Sequence, residues 1–155
     1  MRREVTILGA LDHRALRRFA QLLIENNQTP LDPARPYLIQ ISRFDPSKGI
    51  PDVLESYRKL RLLLDNQLNP QLVIVGHQSI DAPDGVSMYQ SILELLKSQR
   101  LTPYASDIKV AILPHIDQLL NALLRTSHIS LQLSIKEGFE VKVTESLLKG
   151  KPVIA

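Results

Sequence analysis

The sequence predicts an α/β domain in which helices cover both faces of a parallel β-sheet. From residue 37 onward, short apolar runs alternate with longer segments of helical periodicity, which is the order expected of right-handed β–α–β units. The apolar runs are nearly continuous, as strands buried on both faces require. In such sheets ligands bind at the carboxyl ends of the strands, beside helix N-termini. A functional site is therefore expected in the turns that follow the strands.

The first part of the chain, residues 1–36, is predicted to be a helix and a linker outside this sheet. Residues 4–8 are interpreted as a short strand or the remnant of one. Residues 12–26 carry apolar side chains at helical spacing and predict a helix. Residues 26–36 contain three prolines and show no periodicity, which is typical of a linker.

Residues 37–155 predict five strands and four helices. The predicted strands are Tyr37–Ser42, Gln71–Gly76, Ile108–Leu113, His128–Ser134 and a last one that begins at Pro152–Ile154. The predicted helices are Pro51–Asn66, Val86–Gln99, His115–Arg125 and Glu140–Lys149. Residues 77–85 are expected to form a polar loop. Because the chain stops inside a predicted strand, we expect the domain to be truncated at its C-terminal end.

Composition limits the classes of function. The 155 residues suffice for one domain with a full core, and no apolar run approaches the length of a membrane span. The absence of cysteine excludes disulfides and thiolate metal sites, and the four histidines show no metal-ligand spacing. A net charge of +3 spread along the chain, with few aromatics, disfavours nucleic-acid binding. The N-terminus carries no export signal, so a cytoplasmic location is expected.

The turn after the first strand, Ser42–Gly49, is basic. Arg43 offers a planar fork of donors and Lys48 a compact charge, and the following helix adds partial positive charge and free amides at its start. Together these groups suit a phosphate or pyrophosphate. The alternative is a solvated surface loop in which Arg43 pairs with Asp45. Neither a P-loop nor a Gly-x-Gly-x-x-Gly motif is present.

The turn after the fourth strand is acidic and contains a glycine. Glu137 precedes the predicted helix, and Gly138 permits a close approach of the backbone to a ligand. The amides of Gly138, Phe139 and Glu140 are donors at the helix start. A carboxylate beside such amides suits a polyhydroxylated ligand that carries a phosphate.

Glu145 follows eight positions after Glu137, on the same predicted helix. We expect it to share a face with Val141 and Leu148 and to point towards the sheet, which favours a ligand or a fixed partner. The alternative is an ion pair with Lys149, four residues away.

Two residues at the end of the second strand are also assigned to substrate binding. Gly76 closes the predicted strand, and His77 opens the loop that follows. For His77 a structural or exposed histidine is the alternative interpretation.

Three motifs together resemble one family. ISRFDPSKG, LVIVG and SIKEGFEVKVTESLLKGKPVIA resemble the C-terminal, donor-binding domain of retaining glycosyltransferases of the two-domain GT-B fold, the group 1 glycosyltransferases. The family's signature residues correspond to Arg43, Lys48, Glu137 and Glu145. The resemblance covers residues 37–155 and implies a Rossmann-like domain, one truncated half of a GT-B fold.

A narrower resemblance rests on EGFEVKV, RFDPSKGIPDVLESY and VGHQSIDAPDG, which are most similar to trehalose phosphorylases and the related trehalose synthases. It implies reversible phosphorolysis of trehalose to glucose 1-phosphate and glucose with retention, without metal or cofactor. Arg43 and Lys48 would hold phosphate, and Glu137 and the residue 138–140 amides would hold glucose. The second glutamate contacts a ribose in nucleotide-sugar members, so a phosphorylase leaves the role of Glu145 open.

Two other functions remain open. The chain is alternatively part of a glycosyltransferase that uses a nucleotide-diphosphate sugar, such as a trehalose synthase, or a non-catalytic module that binds a sugar phosphate. Because a GT-B site lies between two domains, the resemblance implies a missing N-terminal acceptor domain as partner, and the chain alone is expected to be inactive. A sheet edge left open after Ile154 makes a homo-oligomer possible.

Overall fold

The computed structural model describes residues 2–64, 66–77, 84–114, 117–135 and 141–155. The strands in these ranges are β1 (Tyr37–Ile41), β2 (Gln71–His77), β3 (Ile108–Leu113), β4 (Ile129–Leu131) and β5 (Val153–Ile154). The helices are α1 (Arg2–Glu25), α2 (Ile50–Leu63), α3 (Asp84–Leu96), α4 (Asp117–Thr126) and α5 (Val141–Leu148). The strands form one parallel sheet, which confirms the predicted fold class.

The order of the strands is β3-β2-β1-β4-β5, so the direction of winding reverses at β1. Ile39 of β1 is paired with Val73 of β2 on one side and with Ser130 of β4 on the other. At such a reversal the segments that follow the two adjacent strands run to opposite faces of the sheet. A crevice therefore opens at the carboxyl ends of these strands. The turns after β1 and β4, which carry the two predicted motifs, begin at this crevice.

Each face of the sheet has its own core, as predicted. One core joins α1 and α4 to the sheet, with Phe19, Leu23 and Leu123 almost completely buried. The other joins α2 and α3 to the opposite face, with Leu54 and Ile92 at its centre. A fully buried aliphatic or aromatic side chain of this size stabilises the fold by roughly 1.5–3 kcal/mol. These two layers fix the sheet and therefore the edge from which the turns project.

The prediction of a strand at residues 4–8 is wrong, because these residues belong to α1. A short apolar run fits either a strand or a helix, and periodicity alone does not separate them. The helix predicted over residues 12–26 is confirmed as the second part of α1. Asn27 ends it in a left-handed conformation with φ of 58°. Helix α1 packs on the sheet through the first core. The predicted boundary at residue 36, between an inter-domain segment and the donor-binding domain, stays a prediction.

The predicted linker covers the outer edge of β3. The side-chain amide of Gln28 donates to the Val110 carbonyl at 2.7 Å and accepts from the Val110 N–H at 2.9 Å. Thr29 contributes its hydroxyl as an acceptor for the Lys109 ammonium at 2.6 Å. The unpaired backbone groups of an edge strand can pair with another chain and promote aggregation. Here the Gln28 side chain occupies the backbone N–H and carbonyl of Val110.

Several predicted boundaries shift. The helix predicted to reach Asn66 ends at Leu63, because Leu64 has extended backbone angles. The fourth strand has three residues rather than seven. His77 belongs to β2 and the next helix begins at Asp84, so both ends of the predicted loop 77–85 belong to these elements, and residues 78–83 lie outside the described residues. The 3-10 segment Thr102–Asp107 was not predicted. Within the described ranges no helix is long and apolar enough to cross a membrane.

Candidate active site

The turn after β1 is built around Asp45. Its carboxylate accepts from the Ser47 N–H at 2.8 Å and from the Ser47 hydroxyl, and so caps the 3-10 turn Pro46–Lys48. Gly49 then adopts φ of 62°, a left-handed conformation that leads directly into α2. The turn therefore brings Arg43 and Lys48 to the carboxyl end of β1, beside a helix N-terminus, as the sequence predicts.

Aromatic packing holds this turn against α3, and a glycine lets it approach the end of β2. Phe44 is buried and makes an edge-to-face contact with Tyr89, with ring centroids 5.4 Å apart. A Cβ atom on Gly76 would lie 1.8 Å from the Ser42 carbonyl oxygen, so no larger residue fits there. The structure thus gives Gly76 a packing role, and its predicted contact with substrate stays a prediction.

The two basic residues of the turn differ in exposure. The Arg43 side chain is 63% exposed and lies 3.6 Å from the Asp45 carboxylate, which matches the alternative interpretation of a paired surface residue. An exposed ion pair at this distance contributes little, so a dianionic ligand competes readily for the guanidinium. Lys48 is only 9% exposed, an uncommon position for a lysine.

The turn after β1 is joined to the loop after β4 by backbone contacts. The Ile135 N–H donates to the Ser47 carbonyl at 2.7 Å. A Cβ atom on Gly49 would lie 2.1 Å from the Leu133 carbonyl oxygen, so the two segments touch without an intervening side chain. The basic turn and the segment that leads to Glu137 therefore form one unit.

Gln40 is a site residue that the sequence-based prediction missed. Its side chain is fully buried at the end of β1, donates to the Lys48 carbonyl at 2.9 Å and accepts from the Leu133 N–H at 3.2 Å. It thus bonds the turn and the loop simultaneously. The available signal was a carboxamide inside the otherwise apolar strand YLIQI, because a buried amide requires partners.

Glu145 forms an ion pair within its own helix, but not with Lys149, the partner that the alternative interpretation gave it. Its carboxylate accepts from the Lys142 ammonium at 2.8 Å and does not pair with Lys149. The predicted face is also wrong, because Leu148 is 82% exposed. Ser146 faces the sheet instead and donates to the Ser130 hydroxyl at 3.0 Å.

Glu145 nevertheless lies at the site. With Lys142 it lines a cavity of about 240 Å³ whose other walls are Ile41 at the end of β1 and residues of α4. The carboxylate is about one-third exposed, so it is accessible from this cavity. The pair with Lys142, within the same helix, is of the kind that the alternative interpretation described, and binding of a ligand by Glu145 stays a prediction.

The remaining predicted residues lie partly outside the described ranges. His77 is the last residue of β2, half-buried and paired with Leu113 of β3. Its contact with a ligand stays a prediction. Glu137, Gly138, Phe139 and Glu140 lie outside the described residues, and so their roles also stay predictions. In the described part of the chain, no group of three or more His, Asp or Glu side chains is arranged to hold a metal ion.

Comparison with known proteins gives consistent matches. The family described as glycosyl transferases group 1 matches residues 24–155. Over 130 residues the chain is 52% identical to a trehalose phosphorylase of Pleurotus pulmonarius, covering 79% of this chain but 18% of that protein. A trehalose synthase of Pyrococcus horikoshii is 38% identical over 128 residues, which cover 80% of this chain and 28% of the relative.

A solved structure resembles the fold. It is a UDP-forming trehalose-phosphate synthase from Burkholderia xenovorans, with a TM-score of 0.61 and 18% identity over 76% of this chain and 27% of the other. At this identity the likeness concerns the fold. The chain spans less than a third of the length of each of these three proteins.

Proposed function

The chain belongs to the glycosyl transferases group 1 family, and on this basis we propose that it is the phosphate-binding half of a retaining trehalose phosphorylase. The reaction is reversible phosphorolysis of trehalose to α-glucose 1-phosphate and glucose. The relative named trehalose phosphorylase has 52% identity over most of this chain. That identity exceeds the 38% shared with the trehalose synthase, which favours phosphorolysis over a nucleotide-sugar reaction.

One observation carries the proposal: the turn that bears Arg43 and Lys48 is bonded to the loop that leads to Glu137. The link is the 2.7 Å hydrogen bond from the Ile135 N–H to the Ser47 carbonyl. A ligand bound by both segments would have an anionic group beside the cations and hydroxyl groups beside the carboxylate. Glucose 1-phosphate has these two parts joined by one bond.

The chemistry needs stabilisation of negative charge more than any other contribution. A phosphate oxygen bonds to the anomeric carbon on the face from which glucose departs, while the bond from that carbon to the bridging oxygen breaks. The proton of the phosphate passes to the departing oxygen, which balances the reaction. Arg43 and Lys48 would hold the phosphate, and the N-terminus of α2 adds its partial positive charge. Glu137 would orient glucose through its hydroxyl groups.

A second candidate is a transferase that takes a nucleotide-diphosphate sugar as donor. The cavity beside Glu145 favours it, because in that branch of the family the second glutamate contacts a ribose. Here Glu145 and Lys142 line about 240 Å³ next to the end of β1. The ribose would occupy this space, with its hydroxyl groups on the carboxylate.

Both candidates share several predictions. The donor half would act together with an N-terminal acceptor domain, so the isolated chain is expected to show no turnover of trehalose. Neither candidate needs a metal or a resident cofactor. A cytoplasmic location and a homo-oligomer also stay predictions.

Titration calorimetry on the chain separates the candidates. The ligands are inorganic phosphate, glucose 1-phosphate and the glucose conjugates of UDP, ADP and GDP. We expect phosphate and glucose 1-phosphate to bind and the nucleotide to add no affinity. A nucleotide-dependent gain would favour the second candidate, and an absence of binding by all five ligands would contradict both.

A further inference from the structure

Gln40 is a polar side chain in a place where apolar ones are the rule. It lies on β1, the central strand of the sheet, and is completely buried. Leu38, on the same face two residues earlier, packs in the core beneath α2. Burial of a carboxamide costs free energy unless its donor and acceptor are both used. Both are used here, and both bonds lead to the candidate site.

Besides a long contact from its Nε2 to the Ser42 hydroxyl at 3.4 Å, Gln40 makes two hydrogen bonds that reach segments far apart in the sequence. Its Nε2 donates to the Lys48 carbonyl at 2.9 Å, in the turn that holds Arg43. Its Oε1 accepts from the Leu133 N–H at 3.2 Å, two residues beyond the end of β4. The backbone pairing of β1 with β4 ends at the pair formed by Gln40 and Leu131. The side chain thus continues the link between the two segments where the sheet no longer provides it.

We propose that Gln40 is a positioning residue, which sets the distance between the phosphate-binding turn, residues 42–49, and the segment after β4, residues 132–135, so that a ligand that spans both segments is held by both. This inference rests on the proposed function. The planar amide group fixes the angle between its donor and its acceptor, so a displacement of the Lys48 carbonyl is passed to the Leu133 N–H. A ligand that contacts only the turn depends little on this coupling. A ligand that spans both segments depends on it fully.

The site retains other contacts when Gln40 is replaced. The Ile135 N–H still bonds to the Ser47 carbonyl, and Asp45 still caps its turn. Methionine has nearly the length of glutamine and no amide, so Gln40→Met removes the hydrogen bonds to Lys48 and Leu133, and the longer one to Ser42, while it fills the same space. The expected result is a folded protein in which the two segments move more independently.

Gln71 provides the matched control. It is equally buried, lies on the adjacent strand β2, and also bonds through both ends of its amide. Its partners are the Asp32 N–H at 2.7 Å, the Asp32 carbonyl at 3.0 Å and the Arg35 carbonyl at 3.3 Å, at the amino end of the sheet and away from the site. Gln71→Met therefore loses similar interactions without affecting the contact between the turn and the loop.

The test compares the two variants with inorganic phosphate and glucose 1-phosphate as probes. For Gln40→Met we expect glucose 1-phosphate affinity to fall about five- to tenfold, the factor that a lost hydrogen bond of ordinary strength represents. Inorganic phosphate affinity should fall by less than about twofold. Gln71→Met should lower the melting temperature comparably and leave both affinities unchanged. Equal losses for the two probes, or the same loss in Gln71→Met, would overturn the proposal.

Amide hydrogen exchange keeps this inference separate from the proposed function. If the unmodified chain bound neither probe, the proposed function would fail, and exchange at the Ile135 N–H would still decide the role of Gln40. That amide bonds to Ser47 and not to Gln40, so it reports the contact between the segments indirectly. We expect faster exchange at Ile135 in Gln40→Met and not in Gln71→Met. Unchanged exchange in Gln40→Met would refute the coupling.

Discussion

The two ends of the sheet use charge in opposite ways. At the amino end Asp107 accepts from Arg35 at 2.8 Å and from Arg61 at 2.7 Å, and all three side chains are largely buried. At the carboxyl end Arg43 is mostly exposed and lies 3.6 Å from Asp45. The first arrangement satisfies a carboxylate within the protein, whereas the second leaves a guanidinium accessible. The comparison separates charges that stabilise the fold from charges available to a ligand.

The amino-end cluster of Arg35, Arg61 and Asp107 also includes aromatic rings. The Arg61 guanidinium lies 5.8 Å from the centre of the Tyr57 ring and 5.3 Å from that of Tyr104. Burial alone would raise the pKa of Asp107, but the hydrogen bonds from Arg35 and Arg61 outweigh it and hold the pKa below its usual value. The cluster ties the linker to the end of α2 and to the 3-10 segment before β3. Its role is structural, and it offers no accessible charge to a phosphate.

The largest effect on stability is expected from Asp107→Ala. Loss of the carboxylate leaves two partly buried guanidinium groups without their main partner, which lowers the unfolding free energy by about 3 kcal/mol. Urea denaturation followed by circular dichroism measures this change. Phosphate affinity of the folded variant should be unaltered. A variant as stable as the unmodified chain would show that the amino-end cluster is not structural.

A smaller effect is expected from Gly49→Ala, which acts at the carboxyl end. A left-handed alanine costs about 1 kcal/mol, and here the new methyl group would also lie 2.1 Å from the Leu133 carbonyl oxygen. We expect a total loss of about 2–3 kcal/mol in unfolding free energy together with weaker binding of glucose 1-phosphate.

Gly150→Ala is the matched control for Gly49→Ala. Gly150 has φ of 69°, and a Cβ atom there would have no neighbour within 4 Å. Only the cost of the left-handed backbone, about 1 kcal/mol, should remain, with no change in ligand binding. Equal effects of the two substitutions on affinity would contradict the contact between the turn and the loop.

Acid should weaken the amino-end cluster selectively. Because the pKa of Asp107 is lowered in the folded chain by its two arginines, its contribution is fully present above the unfolded-state pKa of about 4. The contribution is lost as the pH falls from there through the lower pKa of the folded state. Unfolding free energies measured by urea denaturation below about pH 4 should therefore fall more steeply in the unmodified chain than in Asp107→Asn. Parallel pH profiles would argue against this linkage.

The smallest effect on stability is expected from Arg43→Ala. The side chain is exposed and its ion pair is long, so the unfolding free energy should change by less than about 0.5 kcal/mol. Thermal denaturation checks this value. A loss as large as that of Asp107→Ala would place Arg43 among the structural charges and remove the contrast between the two ends.

The sequence predicted the sheet well because buried parallel strands have a simple pattern of continuous apolar residues. The turn after β1 was placed correctly for the same reason, since it follows such a strand. Residues 136–140 of the second turn lie outside the described residues, so its placement stays a prediction. Helix-face assignments were weaker, because a step of one residue turns the face by about 100°. In α5 that step exchanged Glu145 for Ser146 as the residue facing the sheet.

Long-range polar contacts were not predictable in the same way. Gln40 was visible as an exception within an apolar strand, but its bond to residue 133 depends on strands β1 and β4 being neighbours. The pairing of Asp107 with Arg35 and Arg61 likewise joins three separate segments. Sequence spacing carries no information about such contacts until the strand order is known.

The central claim is that Arg43 binds phosphate. The most direct measurement is a calorimetric titration of inorganic phosphate into the unmodified chain, Arg43→Ala and Arg100→Ala. Arg100 is a matched control because its side chain is 68% exposed and pairs with Glu55 at 2.9 Å on the surface. We predict a loss of at least about tenfold in affinity for Arg43→Ala and no change for Arg100→Ala. Unchanged affinity in Arg43→Ala, or the same loss in both variants, would contradict the claim.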